Sequence, residues 1–170
     1  MREKASTSSS LVIPPSIYLG PCSAASDKSF LAAKMITHVL SIGASPKENV
    51  DGVEYHRVSL ADSPSSSISN VCDSACTIID AALKSKDATG RILVHCSAGI
   101  SRSPTVVVAR PGEILRLRPQ VSQNSGFLGQ LKELEMELFG SVSLDVDELP
   151  KRETDRLALF EAEDVADTRT

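Results

Sequence analysis

The segment "RILVHCSAGISRSP" constrains the fold of this chain more than any other part of the sequence. Apolar residues lead into Cys96, five small or neutral residues follow, and Arg102 then precedes a Ser-Pro pair. The apolar run predicts a short strand. The Ser-Pro pair predicts a helix start, because proline suits the first turn of a helix. Residues 97–102 therefore form a tight loop that joins the end of a strand to the N-terminus of a helix.

A loop of this kind can bind a phosphate dianion. Its backbone N–H groups point inward, the helix dipole adds positive potential, and small residues let the backbone approach a ligand closely. Arg102 can bind two phosphate oxygens through paired hydrogen bonds. The same field should lower the pKa of Cys96 below the free-thiol value of about 8.5, which makes a thiolate nucleophile. The candidate phosphate-binding residues are Ser97, Ala98, Gly99, Ile100, Ser101 and Arg102.

Attack by Cys96 on a phosphate ester also needs a group that protonates the departing oxygen. Asp62 is the best candidate, because it directly follows the predicted strand 53–60 and so lies on the same rim as Cys96 if the two strands are parallel. Ser103 can donate a hydrogen bond to the Cys96 sulfur and stabilise it as a leaving group. His95 is interpreted as a structural residue that holds the loop backbone.

Hydrophobic periodicity along the chain predicts alternating strands and helices. Strands are expected at 16–20, 37–43, 53–60 and 91–96, and helices at 26–35, 71–86 and 127–139. This order indicates an α/β fold with a central mixed, largely parallel sheet flanked by helices.

The chain is expected to divide into three parts. A Ser-rich disordered arm covers 1–12, one catalytic domain covers 13–140, and a solvated tail covers 141–170. The tail holds nine acidic and four basic residues.

Composition narrows the function classes. The chain has 170 residues, 41% of them hydrophobic and 24% charged, with a net charge of −4. No apolar run is long enough to cross a membrane, and 4% aromatic residues without a basic stripe argue against nucleic-acid binding. The four cysteines show neither metal-ligand spacing nor a disulfide framework. We therefore expect an intracellular, reducing compartment, the cytoplasm or nucleus. We also expect a monomer with no cofactor and no bound metal.

The motif "HCSAGISRS" resembles the signature of dual-specificity protein phosphatases, in which His-Cys is followed by five residues, Arg and Ser or Thr. Three flanking segments resemble the same family. "IYLGPCSAASDKSFLAAKMITHVLSIG" is similar to its opening strand, helix and strand, "YHRVSLADSPSSSI" to its general-acid loop, and "RPQVSQNSGFLGQLKELE" to the start of its final helix. The resemblance covers about residues 13–139.

This resemblance implies a phosphotyrosine-phosphatase-like fold of the small, single-domain type. It implies hydrolysis of phosphotyrosine and phosphoserine or phosphothreonine in proteins through a phosphocysteine intermediate, without metal. Asp62 takes the acid position, and Asn124 takes the position that braces the phosphate loop. Phosphoinositide phosphatases usually carry Lys within the loop, so the neutral Ala98 and Ile100 favour monophosphorylated protein side chains.

The resemblance breaks after the phosphate loop, where the family has a long helix, a turn and another helix. Here "TVVVA" runs into "RPGEILRLRPQ", and Pro111 disfavours helix at Arg110. The helix after the loop should be short, with "GEILRL" as the end of the second helix. The alternative function is therefore a catalytically impaired phosphate-binding or scaffold protein.

Overall fold

A computed structural model describes residues 9–108 and 111–167. The strands are β1 (Ser10–Ile13), β2 (Ile17–Gly20), β3 (His38–Ile42), β4 (Glu54–Val58) and β5 (Ile92–His95). The α-helices are α1 (Lys28–Ala33), α2 (Ser69–Ala88), α3 (Arg102–Val107), α4 (Pro111–Leu117), α5 (Ser125–Phe139) and α6 (Glu153–Asp167), with a 3₁₀ helix at Cys22–Ser26. Within the described part of the chain, no helix combines the length and apolar character that crossing a bilayer requires.

The five strands form one sheet in the order β1-β2-β5-β3-β4. β1 runs antiparallel to β2, and the other neighbours are parallel. The prediction of a mixed, largely parallel sheet flanked by helices is confirmed. Because parallel strands end at the same rim, Cys96 after β5 and Asp62 beyond β4 lie at one end of the sheet.

Helices cover both faces of the sheet, and alternate strand residues point to opposite faces. In β5, Ile92 and Val94 join the core on the side of the helices from α2 onward, whereas Leu93 joins the smaller core beneath α1. Central strands buried on both faces explain why the sequence shows apolar runs there rather than alternation.

Local capping chemistry sets several helix boundaries. The Asp27 side chain accepts a hydrogen bond from the Phe30 N–H at 2.9 Å and starts α1. Gly140, at φ +70°, ends α5 in the left-handed conformation.

The apolar residues of α5 do not all face the core. Phe127 and Leu131 are buried, but Leu138 is 58% exposed, and Glu135 is buried instead. The helix is longer than the surface on which it packs, so its last turn extends beyond the core.

The region after the phosphate loop is short, as expected. α3 has six residues, and α4 begins at Pro111, where proline suits the first helical turn. The predicted break at Arg110 lies outside the described residues. A groove of about 510 Å³ runs between α2, α3 and α5, and its apolar lining includes Cys72, Val107 and Leu138.

Two predicted boundaries need correction. β1 pairs with β2 from Ser10 onward and buries Val12, so the predicted arm of 1–12 does not extend past Ser9, and residues 1–8 lie outside the described part. The tail of 141–170 is not simply solvated, because Leu144, Arg156 and Phe160 are buried. The acidic composition of the tail predicted a solvated segment, although some of its apolar residues are buried.

α6 covers α4 through Phe160, which is 6% exposed and lies 4.8 Å beneath the Arg116 guanidinium. We therefore expect Phe160→Ala to lower the free energy of unfolding by about 3 kcal/mol, near the low end for buried aromatic side chains. Leu157→Ala is the matched control on the same helix, because Leu157 is 40% exposed. Its effect should stay near about 0.5 kcal/mol. Urea unfolding of both variants measures the difference, and equal stabilities would mean that α6 is not docked.

Candidate active site

A cleft of about 390 Å³ opens at the rim where the parallel strands end. It brings together most of the predicted site residues, and Gly99, Ser103 and His95 are buried beside it. Its lining residues are Asp62, Cys96, Ser97, Ala98, Ile100, Ser101, Arg102, Ser122, Gln123 and Asn124. The donors of the loop are N–H, O–H and guanidinium groups, which suit an anion.

The Cys96 thiol lies at the base of the loop and is buried. Burial by itself raises its pKa, but hydrogen bonds from the Ser103 hydroxyl and from the backbone N–H groups of Ser103, Gly99 and Ser101 outweigh this cost, so the net pKa is lowered. The Sγ atom lies 3.3 Å from the Gly99 nitrogen and 3.4 Å from the Ser103 Oγ. The loop thus favours the nucleophilic thiolate.

His95 is fully buried and holds the backbone on which Cys96 sits. The Cys96 carbonyl, 3.1 Å from Nδ1, can only accept a hydrogen bond, so Nδ1 carries the proton of the neutral ring. The Nε2 atom then accepts from the Ser41 hydroxyl at 2.8 Å. Burial lowers the pKa of His95, against the opposing effect of its bond to Cys96. A neutral imidazole with a hydrogen bond on each nitrogen fits the structural role predicted for His95.

Arg102 lies over the loop and is held in place by its neighbours. Its Nη2 donates to the Ser97 Oγ at 2.8 Å, and its Nε lies 3.6 Å from the Asp62 carboxylate. Gly43, at φ +75°, makes room for it, because a Cβ there would meet Arg102 Nη1 at 2.5 Å. Sequence reasoning saw Gly43 only as the end of a strand.

Asp62 lies beside the phosphate loop. Its Oδ1 accepts hydrogen bonds from the Ser101 hydroxyl at 2.7 Å and from the Asn124 amide at 2.9 Å. Asn124 also caps α5 by accepting from the Phe127 N–H. Asn124 reaches the phosphate loop through Asp62, and the Ser122 N–H donates directly to the Ile100 carbonyl of the loop at 2.8 Å. Asn124 therefore positions the Asp62 carboxylate.

Arg118 is a site residue that sequence reasoning missed. It is buried beneath the loop and donates to the Gly99 carbonyl at 3.4 Å and to the Leu19 carbonyl at 3.3 Å. Burial lowers the pKa of Arg118, and attraction to the Cys96 thiolate opposes that effect. An arginine remains protonated in proteins, so its positive charge stabilises the thiolate from below. Arg116, two residues earlier, stacks on Phe160 instead, and no local signal separates the two arginines.

Comparison with known proteins identifies the family. The family model for the dual specificity phosphatase catalytic domain matches residues 17–109. The chain belongs to the dual-specificity phosphatase family. The match ends at the segment where the sequence departs from the family pattern.

Curated dual-specificity phosphatases resemble the chain over most of its length. Mouse dual specificity protein phosphatase 14 is 34% identical over 151 residues, which are 81% of this chain and 75% of that protein. Mouse dual specificity protein phosphatase 2 is 35% identical over 139 residues, which are 74% of this chain but 43% of that protein. The chain thus spans less than half the length of the first curated relatives that it matches.

Solved structures of the family share the fold. The crystal structure of DUSP15 is 30% identical with a TM-score of 0.65, and the match covers 90% of this chain and 95% of that one. Human DUSP28 is 28% identical with a TM-score of 0.63, over 73% of this chain and 90% of that one. The sheet and phosphate loop described above are therefore those of the phosphotyrosine-phosphatase-like fold.

The hydrogen bond from Ser103 makes a testable contribution to the Cys96 thiolate. Ser103→Ala removes a donor to the sulfur, so the protonated thiol is favoured and the pKa of Cys96 should rise. The pH profile of Cys96 alkylation by iodoacetamide, read by peptide mass spectrometry, should shift to higher pH. Burial raises the pKa of Cys72 to about 11, so that thiol stays unreactive at the same pH. Ser97→Ala is the control, because that hydroxyl bonds to Arg102. An equal shift in both variants would contradict the assignment.

Proposed function

We propose that this chain is a cysteine-dependent protein phosphatase that hydrolyses phosphotyrosine and phosphoserine or phosphothreonine through a phosphocysteine intermediate. The observation that carries the proposal is the Cys96 sulfur, which is hydrogen-bonded by its loop and lies in the same cleft as Arg102 and Asp62. These residues supply a nucleophile, an anion clamp and an acid, and together they account for both chemical steps.

In the first step, the substrate phosphate occupies the loop and its oxygens accept from the backbone N–H groups and from Arg102. The Cys96 thiolate forms an S–P bond as the ester P–O bond breaks. Asp62, in its protonated form, gives its proton to the departing oxygen, which leaves as an alcohol or phenol. Ser101 and Asn124 hold the Asp62 side chain beside the loop during this transfer.

In the second step, water attacks phosphorus and the S–P bond breaks. The Asp62 carboxylate takes a proton from that water, which restores the acid form, and inorganic phosphate is released. The electron pair of the broken bond returns to sulfur, where the Ser103 O–H and the Gly99 N–H stabilise the thiolate. The same donors that activate the nucleophile therefore also make it a good leaving group.

The proposed substrate is a monophosphorylated side chain of a protein. The neutral Ala98 and Ile100 in the cleft lining add no charge for a second phosphate group. A nucleophilic thiolate is readily oxidised, so the proposed site of action is a reducing compartment, the cytoplasm or nucleus, and the proposed state is a monomer.

The second candidate is a catalytically impaired phosphate-binding or scaffold protein. The groove of about 510 Å³ beside the short α3 favours it, because apolar side chains along it, such as Leu138 at 58% exposed, are left uncovered. A solved human relative is described as a tyrosine phosphatase-like serine/threonine/tyrosine-interacting protein, with 28% identity and a TM-score of 0.64 over 75% of this chain and 95% of that one. Binding of phosphate without turnover would support this candidate.

The Cys96→Ser variant tests the nucleophile. It should retain the fold and bind phosphate, but its turnover of an aryl phosphate should fall below about one hundredth of the parent rate, because covalent catalysis cannot survive loss of the thiolate. Cys76→Ser is the control, since Cys76 is exposed on α2. Turnover retained in Cys96→Ser would refute the phosphocysteine mechanism, and equal absence of turnover in the parent would favour the scaffold.

The Asp62→Asn variant tests the acid. Turnover of phenyl or alkyl phosphates should fall about 10²–10³-fold, because the poor leaving group departs unprotonated. Turnover of an activated ester such as a nitrophenyl phosphate should fall less. Asp51→Asn, in an exposed loop, is the control. Equal losses on both substrate types would show that Asp62 has only a structural role.

A further inference from the structure

Two histidines that the phosphatase site does not use lie together on one face of the sheet. His38 begins β3, and in the parallel pairing with β4 it lies opposite Glu54. His56 is two residues beyond Glu54, so its side chain leaves the sheet on the same face. The three side chains converge at the end of the sheet opposite the phosphate loop, where the parallel strands begin.

The ligand atoms of this cluster are close enough together to share one metal ion. His38 Nε2 lies 3.5 Å from one Glu54 oxygen, and His56 Nε2 lies 3.3 Å from the other. The three donor atoms all lie within 4.8 Å of one another. Bonds of about 2.0–2.2 Å to a tetrahedral ion place neighbouring ligand atoms about 3.4 Å apart. The two histidine–glutamate distances are therefore close to the spacing of ligand atoms around a bound ion.

Hydrogen bonding orients the ring of His38. Its Nδ1 atom lies 2.7 Å from the Thr37 hydroxyl, which also lies 3.0 Å from the Arg91 carbonyl. The Nε2 edge of the ring therefore faces the Glu54 carboxylate, at 3.5 Å. A hydrogen bond on the far ring nitrogen is a support that metal-ligating histidines share.

His56 completes the set. Its Nε2 atom is shielded from solvent and has no hydrogen-bond partner among the residues that the structure describes. Its ring stacks on that of His38, with centroids 5.8 Å apart and planes 8° apart. This nitrogen lies 3.3 Å from a Glu54 oxygen without forming a hydrogen bond to it, so a bound ion could satisfy both atoms.

We propose that His38, Glu54 and His56 bind a divalent transition-metal ion, with Zn²⁺ as the preferred ion. Two imidazoles and one carboxylate suit Zn²⁺, whereas Mg²⁺ and Ca²⁺ prefer oxygen ligands alone. The Glu54 side chain is 66% exposed, so the remaining coordination positions face solvent. The charge of Lys86 also acts on His38 and opposes the cation, and the Glu54 carboxylate offsets it. The ion joins edge strand β4 to β3 and takes no part in phosphate hydrolysis.

Zn²⁺ titration by calorimetry on the full chain tests the site. Glu54→Gln and His56→Gln should each weaken binding at least about tenfold, whereas Glu48→Gln, an exposed glutamate in the loop before β4, should bind as the parent does. Zn²⁺ should raise the melting temperature of the parent and of Glu48→Gln more than that of the two ligand variants. Unchanged affinity in both ligand variants would overturn the proposal. If His56→Gln does not fold, Glu54→Gln decides, because its side chain is mostly exposed.

Thiols could also capture the ion, and two further measurements separate that outcome. Cys96→Ser should bind Zn²⁺ as the parent does, which keeps this test independent of the phosphatase proposal. Co²⁺ bound in place of Zn²⁺ should show visible bands of a nitrogen and oxygen site. A thiolate-to-cobalt charge-transfer band that persists in Glu54→Gln would place the ion on cysteines such as Cys72 and Cys76 and would overturn the proposal.

Discussion

The phosphate loop depends on the hydrogen-bond donors that surround the buried Cys96 sulfur and lower its pKa. Burial of an unpaired charge costs several kcal/mol, and here the Ser103 hydroxyl, the loop N–H groups and the charge of Arg118 offset that cost. The loop can supply these donors because Gly99, at φ +73°, lets the backbone turn. A Cβ at this position would collide with the Gly20 carbonyl, so only glycine fits. Backbone bonds from Cys22 to Ser97 and from Ser122 to Ile100 hold the loop on both sides.

The position of Asp62 depends on elements that are distant in the sequence. Asp62 follows β4, yet it is held by Ser101 of the loop and by Asn124, the cap of α5. α5 follows the shortened helical region, so the position of Asp62 depends on how that region is stabilised. Here α6 contributes: Arg156 donates to the Pro119 carbonyl at 2.7 Å, next to Arg118. The acidic tail thus supports the segment that carries the buried arginine.

The opposite ends of the parallel sheet carry different chemistry. At the carboxyl ends of the strands, backbone N–H groups and Arg102 create an anion site. At the amino ends, His38, Glu54 and His56 bring their ligand atoms within 4.8 Å of one another. The anion site and the proposed metal site share no side chain, so a substitution in one leaves the groups of the other in place.

The sequence by itself determined the parts of this protein whose causes are local. The apolar run before Cys96, the Ser-Pro pair after Arg102 and the strand before Asp62 predicted the loop, the helix start and the shared rim, because strand and helix signals act over a few residues. Tertiary structure alone decided which arginine of "RLR" is buried, because Arg116 and Arg118 have the same local surroundings. It also decided that Asn124 contacts Asp62, that α5 buries Glu135 rather than Leu138, and that α6 docks, because these outcomes depend on surfaces supplied by distant segments.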